Sequence, residues 1–341
     1  MGAAPVALTL PRFGRRTRQT EQLVLAWDGQ TLAYVQAREE KADLFRVQRF
    51  GVLRASGDSP ADLARQLAAL GLRGKAVRAM LRPAQYQMLQ IDAPAVPPEE
   101  LRTAARWQIR ELVNQHVDDL TLDVLKVGDE RVRATGSIFV VAAANAVIRE
   151  LMQTAQAARC SVDVIDIQDL AQRNLQSALA RRLGTSERAH AAIVMIDDSQ
   201  ALLTICAHDE LFYTRRIDLG PGFLQAPWGA AARSDATGAA DLTLAPAGQE
   251  SDRAQRLVVE IQRSLDLWDR TWPMLVLDRI SVQAGARTAE LAGLLAQELG
   301  QVVVPLDVSG LFPGFEGGNE ADRQLCWPLL GVLLRHEVRK L

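Results

Sequence analysis

The chain has 341 residues, of which 48% are hydrophobic and 23% charged, with a formal net charge of −2. That length is ample for two cores, and the near-neutral charge excludes a global electrostatic pull toward nucleic acid or anionic lipid. Cys160, Cys206 and Cys326 are odd in number and sit in apolar contexts, which reads as reduced, buried thiols of a cytosolic protein.

Residues 1–20 read as a basic flexible tail. Its charge follows its short apolar stretch, so it lacks the order of a signal peptide. Arg12, Arg15, Arg16 and Arg18 could add a weak attraction to anionic lipid, about 1 kcal/mol per basic residue near the surface. No segment reaches the roughly 18 apolar residues of a membrane span.

Three strands are expected at 23–28, 31–37 and 44–53. A helix from Pro60 to Leu70 follows, with Ser59 as its cap, Pro60 at its first position and Gly71 at its end. Strand 76–81 precedes a segment, about 82–135, that reads as a small α/β insertion. It holds a strand at 86–91, a proline-marked loop, a helix at 99–115 and a strand pair at 121–127 and 131–138. Ser137 to Ala142 reads as a strand buried on both faces, followed by helix 145–158, strand 161–167 and helix 168–183.

The order then repeats. Strands at 191–197, 201–207 and 210–218 precede helix 253–271, whose Leu257, Ile261, Leu265, Trp268 and Trp272 fall on one stripe. Strand 277–283, helix 287–299, strand 302–305 and a terminal helix near 325–337 complete it. The stretch 229–251, rich in Ala, Gly and small polar residues, reads as a mobile loop.

The repeat is visible in the residues. LVLAWDGQTLAYVQA and AAIVMIDDSQALLTICA each end an apolar strand at an acid, Asp28 and Asp197, turn tightly and return as an alternating strand. Each unit then turns again, around Lys41-Ala42-Asp43 and His208-Asp209-Glu210, into a third strand. This predicts a duplicated two-lobe α/β fold, with lobe one at 21–188 and lobe two at 189–341. The turns after the two first strands are expected to face each other across a cleft.

Strand–strand–strand–helix–strand–helix, written twice, is the layout of the actin-like (ribonuclease H-like) fold. WQIRELVNQHVDDLTLDVL (107–125), IFVVAAANAVI (138–148), SVDVIDIQDLAQRNL (161–175), VVEIQRSLDLW (258–268) and LAGLLAQELGQVVVPLDV (291–308) together resemble, in the same order, the PilM family of type IV pilus assembly proteins. Within it they look most like the MshI branch, which serves mannose-sensitive haemagglutinin (MSHA) pili. The resemblance covers about residues 21–337. It implies a cytoplasmic, non-enzymatic scaffold peripheral to the inner membrane. Its partner would be the cytoplasmic N-terminal tail of a PilN- or MshJ-like single-pass protein.

In actin-like proteins the post-strand turns grip phosphates, with glycines admitting backbone N–H groups and an acid positioning magnesium. The resembling family carries Asp-x-Gly and small hydroxyl residues at both turns, and a double-glycine turn near the adenosine. Here the first turn, Asp28-Gly29-Gln30-Thr31, lacks the serine run. The second, Asp197-Asp198-Ser199, lacks glycine, and the third keeps only Gly285. Either these residues merely end strands and support turns, or they keep a weakened site for ATP and magnesium. No P-loop, G-x-S-x-G or metal-ligand spacing is present, and no catalytic residue is assigned.

On the insertion's helix, Leu101, Ala105, Ile109 and Leu112 form an apolar stripe, and Trp107 points away beside Glu111 and Asn114. A tryptophan off the apolar face suits an interface, with Tyr86 and Met88 on the preceding strand as further contacts. Cover by the neighbouring lobe is the plainer alternative. The resemblance implies that this insertion helps form the groove for the partner's tail. Other functions left open are a working actin-like ATPase or small-molecule kinase, and a platform component of a type II-like secretion system.

Overall fold

A computed structural model describes residues 21–55, 60–128, 136–228 and 247–336. The tail arginines, Ser59 and most of the 229–251 loop lie outside them. Lobe one has β1 (Glu21–Trp27), β2 (Thr31–Lys41), β3 (Leu44–Arg54), α1 (Pro60–Ala69) and β4 (Ala76–Leu81). The insertion adds β5 (Tyr86–Asp92), α2 (Leu101–Gln108), β6 (Leu120–Lys126) and β7 (Ser137–Ala144). Then come α3 (Asn145–Ala157), β8 (Ser161–Ile167) and α4 (Gln168–Leu183). Lobe two has β9 (Ala189–Met195), β10 (Gln200–Ala207), β11 (Glu210–Asp218), α5 (Ala247–Thr271), β12 (Leu277–Gln283), α6 (Thr288–Leu299) and β13 (Val303–Pro305). The last described helices are α7 (Glu320–Cys326) and α8 (Leu329–Leu333).

The duplication is explicit in the sheets. One runs β3-β2-β1-β4-β8 and the other β11-β10-β9-β12-β13, the same order with the same strand directions where the paired strands correspond. A third sheet, β5-β7-β6, is the insertion's own. The doubly buried strand β7 therefore belongs to the insertion and not to lobe one's sheet, so the inserted unit runs on to Ala144 rather than ending near 135. One face of β7 (Ile138, Val140, Ala142) packs under α2, and the other (Phe139, Ala143) meets Leu211 and Phe212 of lobe two. That double cover is why its sequence is continuously apolar.

Three further boundaries differ. Residues 247–251 belong to α5 and not to a loop. The terminal helix is two short helices, because Pro328 has no N–H to continue α7. The insertion's helix stops at Gln108 and tightens into a 3-10 turn over Ile109–Glu111. The tightening changes the angle per residue, so Val113 takes the core position and Leu112 is left 56% exposed, off the stripe where it was expected.

Lobe one's sheet is covered on one face by α1 and α3 and on the other by α4, α8 and the segment around Phe312 and Phe315. This second core also contains Ala192 and Val194 of lobe two. The chain after β13 thus returns to lobe one, and residues 311–334 pack in this core, which lobe one shares with those two residues of β9. The stripe of α5 behaves as expected, with Leu257, Ile261, Trp268 and Trp272 buried against Phe212 and lobe two's sheet. The three cysteines are free and buried, and burial pushes the Cys326 thiol up to about 12.

Between the lobes lies α4, buried from Gln168 to Ala178 despite its polar sequence. Gln172 Nε2 donates to Ala192 O at 3.0 Å and Thr204 Oγ1 at 2.9 Å, and Gln176 Nε2 to His190 O at 2.7 Å. On the other side Asn174 Nδ2 donates to Gly331 O at 3.0 Å. At the end of α4, Arg181 bonds Asp43 at 2.9 Å and Asp209 at 2.6 Å. These two aspartates are equivalents in the repeat, both in the left-handed region at φ 59° and 66°. Arg181 therefore joins the second hairpin turns of both lobes.

Two outcomes follow from this packing. A Cβ on Gly331 would stand 1.9 Å from Ala171 O, so Gly331→Ala should cost about 3 kcal/mol in urea denaturation. Wild-type stability in that variant would show that α8 does not lie on α4. Burial alone would raise the Asp43 carboxyl, but bonds from Arg181 and His336 outweigh it and hold it below the ordinary value. Its contribution is then complete above the unfolded value of about 4 and is lost as pH falls through the lower folded value. The stability gap between wild type and Asp43→Asn should accordingly shrink below about pH 4, and a gap independent of pH would refute the assignment.

Candidate functional site

The first turn follows β1. Asp28 Oδ1 accepts the N–H groups of Gln30 at 3.2 Å and Thr31 at 2.7 Å, so the carboxylate closes its own turn. Gly29 is required there by a φ of 96°. Asp28 Oδ2 faces Arg82, just after β4, at 3.8 Å. Burial lowers the Arg82 guanidinium and Asp28 partly opposes that, while its Nε and Nη2 have no hydrogen-bond partner. A cation of the protein therefore already faces the carboxylate. Sequence reasoning missed Arg82, and its only signal was a lone arginine directly after an apolar strand.

The second turn is consumed in the same way. Asp197 Oδ1 accepts Ser199 N at 2.7 Å, Ser199 Oγ at 2.8 Å and Gln200 N at 2.9 Å. Asp198 turns the opposite way, accepting Gly222 N at 2.8 Å and Leu224 N at 2.9 Å, which holds the loop after β11. The third turn packs against α7, where Glu320 Oε1 lies 3.4 Å from where a Cβ of Gly285 would stand. Thr288 Oγ1 accepts Ala284 N and donates to Gly285 O. A cavity of about 270 Å³ remains here, lined by Gln283, Gly285, Thr288, Glu320, Arg323 and Trp327.

These residues do not fit a polyphosphate with its magnesium. All three acids are engaged by backbone N–H groups, Ser199 is turned onto Asp197, and the second turn has no glycine to admit an anion. Among the described residues no hydrogen bond joins one turn to another, and no group of three or more His, Cys, Asp or Glu could hold a metal.

The insertion offers a different surface. Trp107 is 67% exposed, with Glu111 and Asn114 exposed as well. Tyr86 must be withdrawn as a contact residue. It is only 3% exposed, its hydroxyl donates to Asp169 of α4, and its ring lies under Arg216 of β11 at 4.7 Å. Burial first and the adjoining carboxylate second hold its phenol well above the ordinary range. Tyr86 is instead the peg that fixes the insertion between α4 and lobe two. Met88 is half-buried beside it and, with Leu89, Leu112, Arg215 and Arg216, lines a groove of about 350 Å³. A larger groove of about 1190 Å³ lies on the β6 side, lined by Leu101, Leu125, Phe139, Leu170 and Leu211 among others.

No family model matches the chain, and no curated protein matches it in sequence. Its structure is similar to a chain of the PilM–PilN type IV pilus biogenesis complex, with 20% identity, 93% of this chain and 97% of that chain covered, and a TM-score of 0.64. Weaker likenesses are to the cytoplasmic domain of EpsL, an inner-membrane component of the Vibrio cholerae type II secretion system (13%, 82% and 94%, 0.46), and to a Bacteroides thetaiotaomicron protein with an actin-like ATPase fold and unknown function (8%, 92% and 96%, 0.47). The fold is the actin-like one. Replacing Asp198 by Ala, which strands two backbone donors, should cost about 2 kcal/mol and speed amide exchange at Gly222 and Leu224. Unchanged exchange there would show that the carboxylate does not hold that loop.

Proposed function

We propose that this protein is a cytoplasmic scaffold, peripheral to the inner membrane, in a type IV pilus assembly platform of the MSHA kind. It binds the cytoplasmic N-terminal tail of a PilN- or MshJ-like single-pass protein, and it does not turn over ATP. The observation that carries the reading is the pairing of a pinned insertion with an apolar surface left uncovered. Trp107 and Leu112 are 67% and 56% exposed on a unit whose position Tyr86, Asp169 and Arg216 fix. Large apolar side chains on a rigid base suit a peptide partner. The closed Asp28 and Asp197/Asp198 turns support the absence of ATP chemistry. The likeness to a pilus biogenesis complex supports the cellular setting.

Two measurements test this. A synthetic peptide of the partner tail should bind the full chain, and Trp107→Ala should weaken it about tenfold, or roughly 1.4 kcal/mol. Equal affinity would remove Trp107 from the interface. Magnesium-ATP should leave the melting temperature unchanged, whereas binding at a hundredfold excess over its dissociation constant would add about 2.7 kcal/mol. A clear shift together with phosphate release would replace the scaffold reading with a working ATPase.

A further inference from the structure

A sheet edge exposes backbone donors and acceptors at regular spacing, and proteins usually blunt such edges to prevent unwanted pairing. Among the described residues, most edges are at least partly blunted. The N–H groups of Phe45 and Val47 on β3 are taken by Leu311 O and Pro313 O, both at 2.9 Å. The β8 edge carries Asp163 and Asp166, and the Asp166 carboxylate accepts the Ile167 N–H at 2.9 Å. The short β13 ends in Pro305, and β11 meets the insertion where Gly128 N donates to Leu211 O at 3.2 Å. Within the insertion, part of the β6 edge is taken by side chains of β6 and α2. Arg106 bonds the carbonyls of Val117 and Leu120, and Asp123 Oδ1 accepts Val124 N at 2.9 Å.

The opposite edge, β5, is treated differently. The Ala93 N–H bonds Gly136 O on the β7 side. By the alternation of an antiparallel strand, Gln87, Leu89 and Ile91 also turn toward β7, while Met88, Gln90 and Asp92 turn outward. The carbonyl of Tyr86, of this outward set, is taken by Arg216 Nη2 at 3.2 Å, which marks where lobe two stops covering the edge. Beyond it, among the described residues, no backbone group pairs with Met88, Gln90 or Asp92. The start of this open stretch lines the 350 Å³ groove beside the exposed Leu112, with Arg215 and Arg216 on the far wall.

We infer that β5 is a receiving edge, on which the partner's tail proposed above adds as a fourth strand in the order tail-β5-β7-β6. Only another extended chain presents donors and acceptors at the spacing that Met88, Gln90 and Asp92 require. Alternate residues of that chain would face the groove, so the recognised segment carries apolar side chains at alternate positions to meet Met88 and Leu112. The inference rests on the scaffold reading and specifies how its partner is held.

Gln90 provides the test, because its side chain is exposed and its N–H points away from β7. Proline is tolerated on an edge strand with that orientation and removes only the outward donor. With the synthetic tail peptide and the full chain, Gln90→Pro should weaken binding by about tenfold or more, while Gln90→Ala should bind within about twofold of wild type. In the wild-type protein the peptide should slow amide exchange at Met88 and Gln90. If Gln90→Pro does not fold, this exchange pattern decides the matter. If Gln90→Pro binds like wild type, or the slowed amides are those of Leu125 and Leu170, the tail lies in the larger groove. The edge assignment is then wrong while the scaffold reading stands. A peptide that fails to bind wild type removes both.

Discussion

The lobes of this protein are arranged around a polar helix whose first three turns have no solvent-facing side. The first eleven residues of α4 are buried between two sheets, and their amides must find partners or cost roughly 1–3 kcal/mol each. Three of them donate in both directions: Gln172 and Gln176 to backbone of β9 and β10, and Asn174 to Gly331. Because those partners belong to different parts of the chain, α4 sets the position of each lobe relative to the other. Arg181 repeats the arrangement at the helix end, with one guanidinium held by the equivalent aspartates of two related hairpins.

Within the lobes so fixed, the acidic turns are tied to their own backbone and to the loop after β11. In a phosphate clamp the carboxylates face into the cleft and the backbone N–H groups wait for an anion. Here Asp28 takes the N–H groups of Gln30 and Thr31, Asp197 those of Ser199 and Gln200, and Asp198 those of Gly222 and Leu224. Several N–H···O bonds to a carboxylate stabilise the turns. The freedom of the surface shifts to the insertion. There Tyr86 and Arg216 lock the root of β5, while the remainder of that strand and the 3-10 turn carrying Leu112 stay accessible.

Most strand limits were readable in advance, since β4, β8, β11 and β12 each lie in a run of apolar alternation bounded by turn residues. The helices were readable where a stripe or a cap marks them, as in α5 and α6. The misread places share a cause. Ser137–Ala144 looked like a core strand of lobe one because double burial leaves the same apolar signature whichever sheet provides it. Tyr86 looked like a surface residue because its two partners, Asp169 and Arg216, lie far along the chain. Leu112 looked buried because helical spacing was assumed past the point where the helix tightens.

The amino-acid sequence by itself determined the duplicated order of elements, the acidic turns and the departures from a phosphate-gripping pattern. These are local properties, written in periodicity and in which residues can occupy a tight turn. Only the tertiary structure decided that the segment after β13 returns to lobe one, that Arg82 faces Asp28, and that the outward backbone of β5 stays open beyond Tyr86. Those outcomes depend on contacts between residues distant in the chain and on which way alternate backbone groups point. Hydrophobic pattern does not encode that direction.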